Sequence, residues 1–152
     1  MAAVPERHPV IRQVYTVGAV LAFVGTFMPL FAVEALESDY TTRNLWGLIG
    51  EDGGWAAALG LVVMLAMVSA ALLATAPERG FAAPSGVLAL ALVSLLMLVL
   101  KPGTGGSPPS LGAGGGLLLG TVLVLAAAAL VDVLATPRAN APYDDPPITL
   151  PG

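Results

Sequence analysis

The sequence predicts an all-α integral membrane protein built as a bundle of four transmembrane helices. Of its 152 residues, 57% are hydrophobic and 11% are charged, whereas a typical soluble domain carries about 25% charged residues. The apolar residues form four blocks of about 20 residues, the length that a helix needs to cross a hydrocarbon core of ~30 Å. The blocks contain one charged side chain, Asp132. The predicted spans are 15–33, 55–75, 82–100 and 116–135, within a transmembrane domain of residues 15–136.

The first block, 15–33, follows Arg7 and Arg12. A signal-peptide core usually has about 7–15 apolar residues, and this block is longer, so we expect it to be retained as the first helix. Pro29 lies near the C-terminal end of the block. Because proline lacks the backbone N–H, we expect a kink or a helix end there, which would free the Gly25 carbonyl.

Four spans place both chain termini on one side of the membrane. With the N-terminal segment 1–14 inside, the inner segments hold four of the six basic residues, and the positive-inside rule favours this orientation. The inner residues are Arg7, Arg12, Arg79 and Arg138; the outer ones are Arg43 and Lys101. The excess of arginine over lysine is typical of a GC-rich bacterial genome. We therefore expect a multi-pass protein of the plasma (inner) membrane of a bacterium, with both termini in the cytoplasm.

The first outer loop, 34–54, is long enough for a small structure. Its segment TTRNLWGLIG predicts a short interfacial helix on the outer membrane surface, with Thr41 or Thr42 as the N-cap. Trp46 and Trp55 fit the aromatic belt at the lipid–water boundary, so we predict that they anchor the protein there. The loop also carries five acidic residues, Glu34, Glu37, Asp39, Glu51 and Asp52.

The glycine-rich segment 100–120 does not match a phosphate-binding loop. A Walker motif needs a lysine directly after its last glycine, whereas Lys101 precedes the glycines. A dinucleotide-binding motif needs a third glycine where this chain has Leu117, and it follows a strand, which the sequence does not predict here. We therefore expect no nucleotide to bind.

The glycine spacing instead predicts helix packing. Gly112, Gly116 and Gly120 recur every four residues at the start of the fourth helix, and small residues at this spacing let helix backbones approach closely. Further predicted packing positions are Gly18 and Gly25 in the first helix and Gly60 in the second. Two interpretations remain open: packing within the bundle, and contact with another subunit.

Asp132 is the candidate intramembrane polar site. It lies five residues before Pro137, where the fourth helix should end. One interpretation places the carboxylate at the headgroup level, near Arg138 or Arg12; the other makes it a proton- or cation-coupling site or a polar anchor for a partner helix. Ser69, Ser94 and Thr121 are the other polar positions inside spans, and each is expected to bond a carbonyl of its own helix.

Composition excludes several kinds of chemistry. The chain has no cysteine and one histidine, His8, so disulfides, thiol catalysis and a histidine-ligated metal centre are not expected. A net charge of −4 makes a nucleic-acid partner unexpected. We predict no catalytic residue, no metal and no cofactor. The proline-rich tail, 137–152, lacks apolar periodicity and is predicted to be disordered.

Three functional classes follow. The first is a non-catalytic accessory, assembly or scaffold component that acts by helix packing with membrane partners in the lipid bilayer. The second is a channel or transporter formed by a homo-oligomer, with Asp132 as its polar site. The third is a membrane enzyme that uses the outer-loop carboxylates, although paired carboxylates need a fixed pocket for acid–base chemistry. The first class requires no polar site and is the one we predict.

Overall fold

The computed structural model describes residues 9–33, 41–49, 54–76, 81–101 and 110–135. Most of these residues are helical, and short strands lie between the helices. The elements in chain order are α1 (Pro9–Gly25), β1 (Pro29–Val33), β2 (Thr41–Asn44), α2 (Leu45–Leu48), α3 (Trp55–Ala74), α4 (Ala82–Leu100), β3 (Ser110–Leu111) and α5 (Ala113–Ala135).

Three helices, α3, α4 and α5, are long and apolar enough to cross a membrane. Helix α1 is apolar but has 17 residues, which corresponds to about 25 Å at ~1.5 Å per residue. Large apolar side chains are exposed on all four of these helices, among them Val17, Val62, Leu96 and Leu134. Such a surface fits contact with lipid tails better than contact with water. The multi-pass, membrane-embedded character predicted from composition is therefore supported, while a first span remains a prediction.

The first helix is displaced from the predicted block 15–33. It begins at Pro9, inside the predicted N-terminal segment, because proline has a helical φ and its missing N–H costs nothing in the first turn. It ends at Gly25, and the prediction that the Gly25 carbonyl would be free is wrong, because the Met28 N–H donates to it at 3.2 Å. Pro29 has no N–H with which to continue the helix, so the prediction of a helix end is met and the prediction of helix through residue 33 is wrong.

The four long helices form a closed ring. Helix α1 packs against α3 and α5, and α4 packs against the same two helices from the other side. The centre of the ring is filled by fully buried side chains from every helix, including Met67, Val87, Leu118 and Leu125. Ser94 of α4 donates to the Met67 sulfur of α3 at 3.9 Å. Ser94 was predicted to bond a carbonyl of its own helix, and its hydroxyl instead makes a contact between two helices.

A three-stranded antiparallel sheet corrects the all-α prediction. The strand order is β2-β1-β3, so the segment after α1 pairs with both of the segments that precede α3 and α5. Phe31 and Ala32 of β1 face Leu111 and Ser110 of β3. Backbone N–H and C=O groups between helices need partners, and the sheet supplies them. Strand β3 also lies directly before α5, where we predicted no strand.

The predicted short helix of the first loop is present as α2, a single turn. Its N-cap is Asn44, whose side-chain oxygen accepts from the Gly47 N–H at 2.7 Å. The prediction of Thr41 or Thr42 as the cap is wrong because both threonines belong to β2, three and two residues before the cap. The turn packs against α3, with Leu45 buried between them.

Candidate functional site

The contact between α1 and α5 holds the candidate site, and we call it the α1–α5 seam. Two glycines of α1 receive two leucines of α5: a Cβ added to Gly18 would lie 2.6 Å from Leu125 Cδ2, and one added to Gly25 would lie 2.7 Å from Leu118 Cδ2. As the residue number rises along α1 it falls along α5, so the helices are antiparallel. The predicted packing positions Gly18 and Gly25 therefore lie inside the bundle.

A buried polar pair crosses the same seam one helical turn before Gly18. Tyr15 is fully buried, Asp132 is 3% exposed, and the tyrosine hydroxyl donates to Asp132 Oδ2 at 3.3 Å. A carboxylate in an apolar environment is costly unless hydrogen bonds satisfy it, and the tyrosine provides one. The carboxylate therefore points into the bundle, between two helices, rather than outwards to the surface.

Tyr15 is a site residue that the sequence did not single out; it is the first residue of the predicted span 15–33. A signal for the pair was present in the sequence. Tyr15 begins the first apolar block, and Asp132 lies near the end of the fourth. In antiparallel helices these positions have the same depth, so two polar groups at matching depth were an indication of a contact.

Beside the seam runs an open groove, which we call the α1–α5 groove, with a volume of about 550 Å³. Its walls are apolar or uncharged: Val14, Val17 and neighbouring residues on α1, and Gly116, Gly120, Thr121 and Val124 on α5. No described atom lies within 4 Å of a Cβ built on Gly116 or Gly120. Packing within the bundle therefore does not explain these two glycines, and contact with another molecule stays a prediction for them.

The glycines just before Gly116 have a different role. A Cβ on Gly112 would lie 2.7 Å from the Pro29 carbonyl oxygen, and a Cβ on Gly114 would lie 2.7 Å from Met28 Cβ. A Cβ on Gly115 would collide with the Leu30 carbonyl oxygen. These three glycines let the beginning of α5 approach the backbone of the segment that leads from α1 into β1.

An aromatic cluster lies at the end of α1 nearest the sheet. Trp46 stacks on Phe27, with ring centroids 5.5 Å apart, and its indole N–H donates to the Thr26 hydroxyl at 3.2 Å. Trp46 and Phe27 are both about half exposed. The second predicted anchor, Trp55, is 65% exposed at the start of α3. Both tryptophans lie at the sheet end of the bundle, which is the arrangement that an aromatic belt requires.

The remaining predicted positions are distributed as follows. A Cβ added to Gly60 would lie 3.9 Å from Leu45 Cδ1 of α2, an ordinary van der Waals distance, so this position does not require a glycine. The five acidic residues of the first outer loop and the tail 137–152 lie outside the described residues. Within the described ranges, no group of three His, Cys, Asp or Glu residues could hold a metal ion.

The three hydroxyls predicted inside spans behave differently from one another. Ser69 donates to the Leu65 carbonyl of its own helix at 2.8 Å, as predicted. Ser94 contacts another helix, as described above. Thr121 is 6% exposed, lines the α1–α5 groove, and its hydroxyl has no hydrogen-bond partner among the described residues.

The chain matches no protein family, and no curated protein or solved structure is significantly similar to it.

Proposed function

We propose that this protein is a non-catalytic accessory, assembly or scaffold component of a bacterial inner membrane that acts by helix packing with membrane partners. Both termini lie in the cytoplasm in this proposal, and four helices span the bilayer. The single observation that carries the proposal is the α1–α5 groove, because Gly116 and Gly120 form an open small-residue surface in it, with no neighbouring helix of the described chain against them.

Energetics favour a helix as the occupant of such a groove. In a bilayer, lipid tails already surround apolar side chains, so helices associate through close backbone approach and interhelical hydrogen bonds rather than through hydrophobic burial. Glycines one turn apart allow that approach. The glycines nearest the sheet, Gly112, Gly114 and Gly115, are occupied by the β1 segment, whereas Gly116 and Gly120 are available to a partner.

Gentle extraction followed by native mass spectrometry tests this proposal. We expect the wild-type chain to co-purify with a membrane partner, and the Gly116→Ile/Gly120→Ile variant to lose it. Gly86→Ile is the matched control, since Gly86 of α4 also has open space around a built Cβ. A wild-type chain that purifies alone from native nanodiscs would overturn the proposal, as would equal loss of the partner in the control.

A second candidate function is an oligomeric channel or transporter in which Asp132 is the polar site. It is favoured by the position of a carboxylate within an apolar helix, since charged groups within membrane helices commonly mark ion pathways. Ion flux through reconstituted protein, compared between wild type and Asp132→Asn, tests it. Flux that is lost in the variant while the oligomer persists would support this candidate over the first.

A further inference from the structure

Thr121 adds a buried polar group to the small and apolar residues that line the α1–α5 groove. Other hydroxyls in the described helices have a hydrogen-bond partner within the chain: Thr16 donates to the Arg12 carbonyl at 3.0 Å, and Ser94 donates to the Met67 sulfur at 3.9 Å. Thr121 makes no such bond within the described chain, although the residue is only 6% exposed. Every fully enclosed side-chain oxygen in the described ranges has a partner, so the unpaired Thr121 hydroxyl reaches the groove surface.

An unpaired hydroxyl in an apolar groove needs a hydrogen-bond partner from the molecule that fills it. A lipid tail has no acceptor to offer. A helix offers one where its backbone is uncovered, because the carbonyls beside glycines are not screened by side chains. The polar group and the open glycines thus indicate the same kind of occupant, a closely approaching helix.

We propose that the occupant is a second copy of this chain, with the α5 helices of the two copies crossing at Gly116 and Gly120. In a two-fold interface the same surface serves both partners. The α5 face supplies everything that such a crossing requires: two open glycines for backbone approach, and the β-branched Thr121 and Val124 beside them to fill the space opposite. Each Thr121 hydroxyl would donate to a carbonyl next to the glycines of the other copy.

Charge supports self-association of this face. A two-fold axis brings each side chain near its own counterpart, so a charged group at the centre would repel itself. The groove lining contains no ionisable residue, and its polar members are Thr121 and the amide of Gln13. Both side chains can donate and accept hydrogen bonds, and either can therefore meet an identical group without conflict.

Cysteine cross-linking in native membranes tests the dimer. The chain contains no cysteine, so single-cysteine variants need no background changes. Under oxidation, Gly116→Cys and Gly120→Cys should give a species of about twice 15.3 kDa. The control is Val93→Cys, an exposed position on α4. Val93 lies seven residues before the end of α4 and Gly120 lies seven residues after the start of α5, so the two positions have a similar depth. Equal cross-linking of the control would overturn the proposal.

Two differently tagged copies in one cell provide an independent measurement. Co-purification should fall about tenfold or more in Gly116→Ile/Gly120→Ile, remain near wild type in Gly86→Ile, and fall about threefold in Thr121→Val, which loses the hydroxyl and keeps the shape. Unchanged self-association in the double variant would contradict the proposal even if that variant folds less well.

This inference rests on the proposed function, and the size of the cross-linked product and the proteins that co-purify with it distinguish failure of the second-copy proposal from failure of the accessory role. A disulfide-linked dimer that co-purifies with a larger membrane protein supports both proposals, whereas a dimer without such a partner supports the second-copy occupant and overturns the accessory role. Adducts of another size, formed at Gly116→Cys and Gly120→Cys with a different membrane protein carrying a cysteine, overturn the second-copy occupant and leave the accessory role supported. With a lipid-filled groove, neither cysteine forms an adduct, co-purification of the two tagged copies is lost, and both proposals fail.

Discussion

The hydroxyl of Tyr15 lies 3.3 Å from Oδ2 of Asp132, across 117 residues of sequence. This bond joins α1 to α5, and the side chains of Tyr15 and Asp132 are both buried. At the other end of the same two helices, β1 and β3 join through backbone hydrogen bonds. Hydrogen bonds therefore connect α1 and the segment after it to α5 and the segment before it at both ends of the α1–α5 seam. The Gly18–Leu125 and Gly25–Leu118 contacts lie between these two ends.

Removing the tyrosine hydroxyl should destabilise the bundle without emptying the site. We expect Tyr15→Phe to lower the free energy of unfolding in detergent by about 0.5–2 kcal/mol, because Asp132 loses a donor while the ring still fills its space. Thermal unfolding followed by circular dichroism measures this. Ser69→Ala is the control, since that hydroxyl bonds only its own helix and is exposed. A Tyr15→Phe variant as stable as the control would show that the bond contributes nothing.

Two adjacent glycines, Gly115 and Gly116, should respond differently to alanine. Gly115→Ala places a methyl group against the Leu30 carbonyl oxygen and should lower stability by about 1–3 kcal/mol. Gly116→Ala meets open space and should be neutral or slightly stabilising, since alanine favours the helix. The midpoint of thermal unfolding distinguishes them. Similar midpoints for the two variants would contradict the close approach of α5 to β1.

Fluorescence quenching locates the two tryptophans in the bilayer. Trp46→Phe leaves only Trp55, and Trp55→Phe leaves only Trp46. In vesicles with bromine atoms placed at different depths on the lipid tails, both single-tryptophan variants should be quenched most strongly by the shallowest bromines, because indoles favour the interface. Strongest quenching by bromines near the bilayer centre would show that the sheet end of the bundle is not at the boundary.

Labelling of single cysteines from one side of the membrane tests the orientation and the first span. In intact cells, an impermeant maleimide should label Ser110→Cys, which is exposed in β3, and should leave Ala3→Cys and Ala139→Cys unlabelled until the membrane is opened. Labelling of Ala3→Cys but not of Ala139→Cys in intact cells would place only the N-terminus outside and leave three spans, whereas labelling of both would invert the orientation of four spans. Failure to detect the Ala3 position in the mature protein would indicate cleavage of the first helix.

The apolar blocks predicted the long helices well because lipid-facing helices depend on composition over about 20 residues. The second and third spans, predicted at 55–75 and 82–100, differ by at most one residue from α3 and α4. The first differs because residues 29–33 are as apolar as a span, and only their pairing with β2 and β3 makes them a strand. Strand pairing between distant segments has no local signal in a sequence of this kind.

The glycine spacing predicted that these residues serve helix packing, but it did not predict which element each glycine packs against. Spacing marked Gly112, Gly116 and Gly120 alike, yet only the position of β1 separates the first from the other two. Gly114 and Gly115 also lie against the backbone of the segment before and within β1 and were not singled out, since no spacing rule marks a helix start that lies against a strand. Tyr15 and Asp132 required knowledge of which helices are neighbours in the ring.

The closed ring has a consequence for biosynthesis. Helix α5 is the last of the described long helices to leave the ribosome, and until it enters the membrane Gly18 and Gly25 of α1 lack their leucine contacts and Tyr15 lacks its bond to Asp132. In the nascent chain, the face of α1 that packs against α5 therefore stays uncovered while more than a hundred residues are added. A quality-control protease that recognises uncovered helix faces would find its target during this interval, and chains truncated before α5 would be the ones it removes.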